Sequence, residues 1–133
     1  YAPLTWWKQF DTYKISTTTL STSSMHSITN KEFTAKDFEC DTITEHLLET
    51  IDYLNDRRER YLKCEDPDLK YTIWREIIDN LPESYIQIRT VNFNYETAAR
   101  MIIDRRNHKL TEWHNFCNYM LDNLTYLKEI MDV

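Results

Sequence analysis

The chain has 133 residues, with 41% hydrophobic and 14% aromatic side chains, which suffices for one domain with a modest core and excludes wholesale disorder. A net charge of −6 excludes general attraction to nucleic acid unless cations cluster locally, and no apolar run is long enough to cross a bilayer. The absence of glycine excludes Walker-type and Rossmann phosphate loops, so any ligand must be held mainly by side chains.

The N-terminal segment predicts a short helix followed by a loop. Ala2 to Phe10, with Pro3 early in the first turn, is typical of a short helix, or of the tail of an element that begins earlier. From Ile15 to Ser24 nearly every residue is Ser or Thr, without helical periodicity, which predicts a hydroxyl-rich loop. Because the chain opens with Tyr1 and no leader, we expect an internal or processed piece that lacks the N-terminal part of a longer protein.

Two amphipathic helices are predicted next. Thr42 and Glu45 match a capping box, and they precede an apolar stripe. The stripe consists of Ile43, Leu47, Leu48, Ile51, Leu54, Tyr61 and Leu62. Asp66-Pro67 breaks this helix, and a second one carries apolar residues from Leu69 to Leu81 and ends before Pro82.

The C-terminal third predicts a strand and two helices. Residues 84–93 alternate in a way that favours a strand without settling it. Asn94 can cap a third helix that passes Met101, and a fourth keeps helical spacing from Trp113 to Met131. We therefore predict one domain over residues 1–133, mainly α with a small β component (α+β).

Cysteine usage indicates reduced thiols in a cytosolic compartment. Cys40, Cys64 and Cys117 are an odd, scattered set without CxxC spacing. Cys117 lies on an apolar helical stripe and is predicted to be a small core residue rather than a nucleophile. Trp6, Trp7 and Trp113 are likewise predicted to be core residues.

Two polar stretches could bind a ligand. In the first, Lys14 leads into the hydroxyl-rich run that includes Ser23 and Ser24, and His26 follows; together they could bind a phosphate or a pyrimidine. The alternative is a flexible loop. In the second, Gln87 and Arg89 share one face if the segment is a strand, so that Arg offers a fork to phosphate and Gln can contact a base edge. The alternative is an edge strand with a polar outer face.

The third polar stretch lies between the last two predicted helices. Its cations could hold a phosphate or a flavin pyrophosphate; the alternative is a solvated helix junction in which cations complement the helix dipole. The candidate residues here are Arg105, Arg106, Asn107, His108 and Glu112. His108 and Glu112 have one-face spacing, but no third ligand is specified, so no metal site is predicted.

The beginning and end of the chain resemble uncharacterised phage and prophage proteins. The segments that carry this likeness are Trp6-Trp7-Lys8-Gln9-Phe10-Asp11-Thr12-Tyr13-Lys14 and Arg105-Arg106-Asn107-His108-Lys109-Leu110-Thr111-Glu112-Trp113. The likeness covers almost the whole chain, and it implies a protein of the cytoplasm of a phage-infected or lysogenic bacterial cell.

The three polar stretches, in this order, also resemble the flavin-dependent thymidylate synthases. Thr12-Tyr13-Lys14 stands where that family has Arg-His-Arg, and Ser23-Ser24-Met25-His26 lies near its Ser-x-Arg-Tyr end. Leu81-Pro82 and Asn94-Tyr95-Glu96 match a Leu-Pro motif and a helix start, and the third stretch resembles the family's last junction. Of the Arg-His-Arg triplet only Lys14 is a cation here, and Asn115 and Phe116 stand where the family has a late Arg that orients the uracil ring.

The resemblance implies a helical synthase-like fold, a homo-oligomer with shared flavin sites, and binding of dUMP and FAD, with reductive methylation of dUMP if the protein is active. It implies that Arg89, Arg105 and Arg106 hold phosphate and that Gln87 and Asn94 contact a ring. It also implies that Ser23, Ser24 and His26 line the pocket. The rival hypothesis is a non-catalytic phage accessory or nucleotide-sequestering protein on an inactivated synthase scaffold. Convergence of Lys14, Arg89 and Arg105 would favour ligand binding, and their dispersal would favour the rival.

Overall fold

The computed structural model describes residues 1–21 and 24–132. Its elements in chain order are β1 (Ala2–Pro3), α1 (Leu4–Phe10), β2 (Thr17–Ser21), α2 (Ser24–Ser27), a 3₁₀ turn (Ala35–Asp37), α3 (Glu45–Lys63), α4 (Pro67–Asp79), β3 (Ile86–Gln87), β4 (Arg89–Phe93), α5 (Tyr95–Arg105), α6 (Thr111–Asn123) and α7 (Leu127–Ile130). The structure is 57% helical with short strands, which confirms the prediction of a mainly α fold with a small β component. In the described part of the chain, no helix combines the length and apolar character that a membrane span requires.

Contacts group the described residues into two compact units. The first lies within Thr22–Gln87, with Tyr1 and Pro3; the second lies within Leu4–Ser21 and Ile88–Val133, with Ala2. Each unit has its own cluster of buried apolar side chains. That residues 1–133 form one domain stays a prediction.

The first unit is built around α3 and α4. Leu47, Ile51 and Leu54 of α3 are buried together with Ile77 of α4, as the helical stripe predicts. Asp66 caps α4 and Pro67 occupies its first turn, where the missing N–H costs nothing, so the Asp-Pro pair both ends one helix and starts the next. Three residues of the predicted stripe, Ile43, Leu48 and Leu62, are instead about half exposed.

The capping residue of α3 is Thr44, not the predicted Thr42. The Thr44 side chain accepts a hydrogen bond from the Leu47 N–H over 3.1 Å, satisfying a backbone donor in the first turn. Both threonines lie next to Ile43, the first residue of the apolar stripe, and the capping-box spacing alone predicted the wrong one.

The second unit has an aromatic core. The buried side chains of α1, including Trp6, Trp7 and Phe10, pack with Trp113 and Cys117 of α6. The prediction that the three tryptophans and Cys117 are core residues is confirmed. Burial raises the pKa of the Cys117 thiol and keeps it protonated.

Two predictions in the second unit are wrong. Residues 17–21 of the predicted loop form β2, which pairs antiparallel with β4 from Thr17↔Phe93 to Ser21↔Arg89; residues 22 and 23 lie outside the described part of the chain. The β-branched threonines favour this extended conformation although Leu20 is the one apolar residue of the strand. The predicted fourth helix is α6 followed by α7, because Leu124 has an extended backbone that separates them.

The cap assignment makes a stability prediction. Thr44→Ala should lower the free energy of unfolding by about 1 kcal/mol, because it leaves the Leu47 N–H without its acceptor. The matched control is Thr42→Ala, which should change that free energy by a few tenths at most. Urea unfolding followed by circular dichroism measures both, and equal losses in the two variants would contradict the assignment.

Candidate functional site

A cavity of about 940 Å³ opens in the second unit between the 12–16 loop and α5, with Ile130 of α7 at its side. Three predicted site residues line it: Lys14, Asn94 and Arg105. Its volume is at the upper end of the range of small-molecule pockets, and it combines apolar walls with a few polar groups, as such pockets do. This cavity is the candidate site.

Neutral groups hold the Arg105 side chain at the cavity wall. Its guanidinium donates to the Gln9 side-chain oxygen over 2.8 Å, to the Tyr13 hydroxyl over 3.1 Å and to the Thr12 hydroxyl over 3.3 Å. These bonds use three of the five N–H groups that a guanidinium carries. Two donors therefore remain for a ligand.

Two aromatic rings lie close to the same guanidinium. Its central carbon lies 5.4 Å from the Trp113 ring centroid and 5.6 Å from that of Tyr13, within the range of cation–π attraction. Within the described residues no carboxylate forms an ion pair with Arg105. The side chain is therefore oriented while its positive charge is left uncompensated by a direct partner.

Tyr13 connects this cation to the acidic side of the cavity. Its hydroxyl accepts from Arg105 and donates to Asp104 Oδ2 over 3.1 Å. Burial is the main reason that the pKa of Tyr13 is raised, while the Arg105 charge acts in the opposite direction. The hydroxyl therefore stays protonated at neutral pH and acts as a fixed bridge. Arg100 lies 3.6 Å from Asp104 in an exposed ion pair.

Hydrogen bonds between side chains and backbone order the 12–16 loop and the start of α5 beside the cavity. The Thr97 hydroxyl donates to the Ile15 carbonyl over 3.2 Å, tying the loop to α5. Asn94 accepts from the Thr97 N–H over 2.9 Å, which confirms the predicted N-cap and leaves the Asn94 amide N–H₂ as a donor. Ser16 has φ of 56°, a left-handed conformation that costs a non-glycine residue roughly 1 kcal/mol.

Arg89 lies apart from this cavity. It donates to Asp11 Oδ1 over 2.8 Å and stacks on the Trp7 ring at 4.8 Å, so its charge has a direct partner. Of the other predicted residues, Gln87 is half-buried in β3 and exposed His26 is in α2, both within the first unit. Ser24 begins α2, and Ser23 lies outside the described residues.

The remaining predicted residues form the α5–α6 junction. Arg106 is the C-cap that follows α5 and is exposed, as is Asn107. Glu112 is half-buried in the first turn of α6. His108 Nδ1 accepts from the Leu110 N–H over 3.1 Å, and His114 Nε2 lies 2.6 Å from the His108 carbonyl oxygen. The two histidines therefore stabilise the turn between α5 and α6 through hydrogen bonds to its backbone. No group of three or more His, Cys, Asp or Glu that could hold a metal occurs among the described residues.

Sequence reasoning missed the groups that hold Arg105. Gln9 and Tyr13 are four residues apart, a spacing that places residues on one side of a helical turn, and this was the available signal. Their partner is more than 90 residues away in the chain, so only the fold brings it to them.

No family model, curated protein or solved structure compared with this chain matches it. The likeness to the flavin-dependent thymidylate synthases therefore stays a prediction.

The turn between α5 and α6 makes a pH prediction. Burial, followed by the charges of Arg105 and His114, lowers the pKa of His108, which suits a ring nitrogen that accepts a hydrogen bond. Its stabilising contribution should be complete above the unfolded pKa of about 6.5 and should be lost as the pH falls through that value towards the lower folded pKa.

His108→Asn retains an acceptor for the turn but cannot titrate. The difference in unfolding free energy between wild type and this variant should change between about pH 7.5 and 5, as measured by urea denaturation. The exposed His46 supplies the control, His46→Asn. A His108 difference that is constant with pH would contradict the assignment.

Proposed function

We propose that the second unit binds a nucleotide of the dUMP class, with its phosphate at Arg105 and Lys14. The observation that carries the proposal is the Arg105 guanidinium, which is held by neutral acceptors and aromatic rings and keeps two N–H donors. An oriented fork of this kind suits phosphate oxygens, because little side-chain freedom is lost on binding.

The rest of the cavity suits the base. Ala99, Ile103 and Ile130 supply apolar surface, and the two isoleucines are more than half exposed. Asn94 has an amide N–H₂ to offer to a carbonyl of the ring. The arrangement therefore has a cationic end and an apolar end, matching a phosphate and a planar ring.

The enzymatic version of the proposal adds FAD in a homo-oligomer and reductive methylation of dUMP. The donor set fits part of this group: Arg100 is a further cation at the cavity for a pyrophosphate, and the isoleucines are surface for a flat ring. FAD, when bound, would supply the reducing equivalents. The chain's own residues would bind and orient the two ligands, which is the main source of catalysis available to them.

A second candidate is a nucleotide-sequestering or accessory phage protein of the bacterial cytoplasm. The observation in its favour is Arg89, a predicted phosphate ligand whose charge is engaged by Asp11 outside the cavity. Two of the three cations named for convergence line the cavity and the third does not. Binding of dUMP without flavin would favour this candidate.

The phosphate assignment is tested by Arg105→Gln. Its affinity for dUMP should fall about tenfold or more, because a charge-assisted hydrogen bond is lost, as measured by isothermal titration calorimetry. The control is Arg106→Gln, which removes a neighbouring exposed cation that does not line the cavity. Arg105→Lys retains the charge if the Gln variant unfolds. Equal losses at 105 and 106 would contradict the assignment.

The enzymatic version is tested by titrating the chain with FAD, with and without dUMP, and following flavin absorbance and fluorescence. Flavin binding that responds to dUMP and weakens in Arg100→Gln supports the synthase version. Binding of dUMP by a folded oligomer that takes up no flavin contradicts it and leaves the sequestering function.

A further inference from the structure

A second cavity, in the first unit, has the chemistry of a ligand site independent of the proposed function. It encloses about 450 Å³ between residues 25–29 and the α3–α4 pair. Met25, His26 and Thr29 form one side of it. We call it the aromatic pocket, after the three rings that face it: Tyr61, Tyr71 and Trp74.

The rings form a surface on which a planar ligand can stack. Tyr71 and Trp74 of α4 have centroids 5.7 Å apart and planes inclined by 35°, and Tyr61 comes from α3. Tyr71 is 60% exposed although it is a large aromatic residue. Stacking on such rings strengthens the binding of a base roughly five- to hundredfold.

A cation lies among these rings. Lys70 Nζ is 4.7 Å from the Tyr61 ring centroid, and no carboxylate in the described part of the chain forms an ion pair with it. Arg75, on the same helix, differs because its Nε donates to both Asp79 oxygens at 2.9 and 3.0 Å. Lys70 therefore keeps its charge for a ligand, and the His26 ring lines the same pocket.

Aromatic grooves also bind proline-rich peptides, whose extended backbone presents carbonyl oxygens to donors in the groove. Here the indole N–H of Trp74 already donates to the Met25 carbonyl over 3.0 Å. That bond removes the aromatic donor that a peptide carbonyl would use. The stacking rings and the Lys70 charge are what remain available.

We infer that the aromatic pocket binds a planar aromatic anion of the nucleoside monophosphate class. Its ring stacks on Tyr71 and Trp74, and its phosphate lies at Lys70. This site is separate from the cavity at Arg105, so either can exist without the other.

The test uses the full chain labelled with 5-fluorotryptophan and ¹⁹F NMR. The chain has four tryptophans, and Trp74 lies in this pocket while Trp113 lies under Arg105. The signal that disappears in Trp74→Phe identifies the reporter. Adenosine monophosphate should shift the Trp74 signal saturably, and a shift of the Trp113 signal reports separately on the other cavity.

Two variants and a matched control locate the contacts. Tyr71→Ala should weaken the Trp74 titration roughly five- to hundredfold through lost stacking. Lys70→Gln should weaken it about two- to fivefold and reduce its salt dependence. Lys63→Gln should leave it unchanged, because that exposed cation of α3 lines a different cavity.

Titrations with adenosine and with inorganic phosphate show whether the ring and the phosphate of the nucleotide both contribute to binding. Adenosine and inorganic phosphate should each bind more weakly than the monophosphate, since each makes half of the contacts. The inference is overturned if the monophosphate leaves the Trp74 signal unmoved, if Tyr71→Ala and Lys70→Gln bind it as wild type does, or if phosphate alone binds equally well. Tighter binding of a proline-rich peptide at Trp74 also overturns it.

Discussion

The contact between Trp6 and Trp113 is the interaction on which the second unit depends. Their ring centroids are 4.6 Å apart, both side chains are buried, and they join α1 to α6. Among the described residues neither indole N–H has a hydrogen-bond partner, so the apolar contacts of the two rings must offset a cost of roughly 1–3 kcal/mol for each. Because Arg105 lies over the Trp113 ring, the same packing that stabilises the core also sets the position of the cation at the cavity.

Two arginines on tryptophan rings have opposite electrostatic roles in this unit. Arg89 lies over Trp7 and forms an ion pair with Asp11, so it contributes to the fold at little net charge. Arg105 lies over Trp113 and is surrounded by an amide and two hydroxyl oxygens. The two arginines differ in their hydrogen-bond partners and not in the ring beneath them. Neutral acceptors orient the Arg105 guanidinium without cancelling its electric field, whereas a carboxylate neutralises Arg89.

Features that depend on neighbouring residues could be predicted from the sequence, whereas contacts between residues far apart in the chain could not. The Asp66-Pro67 helix boundary and the Asn94 cap each depend on residues a few positions apart, and both were predicted. β2 was missed because its threonines lack alternation and its partner strand is about 70 residues away in the chain. For the same reason the sequence indicated Arg105 as a candidate but not Gln9 and Tyr13, which hold it.

The absence of glycine determines which groups of this chain are available to recognise a ligand. Even the left-handed position in the loop that lines the cavity is filled by Ser16, so the backbone makes no close approach that only glycine permits. Glycine-rich phosphate loops bind through main-chain amides, which most substitutions leave in place. Here recognition would reside in side chains such as Arg105 and Lys14. Single substitutions of these side chains would then change the preferred ligand while the path of the chain stays constant.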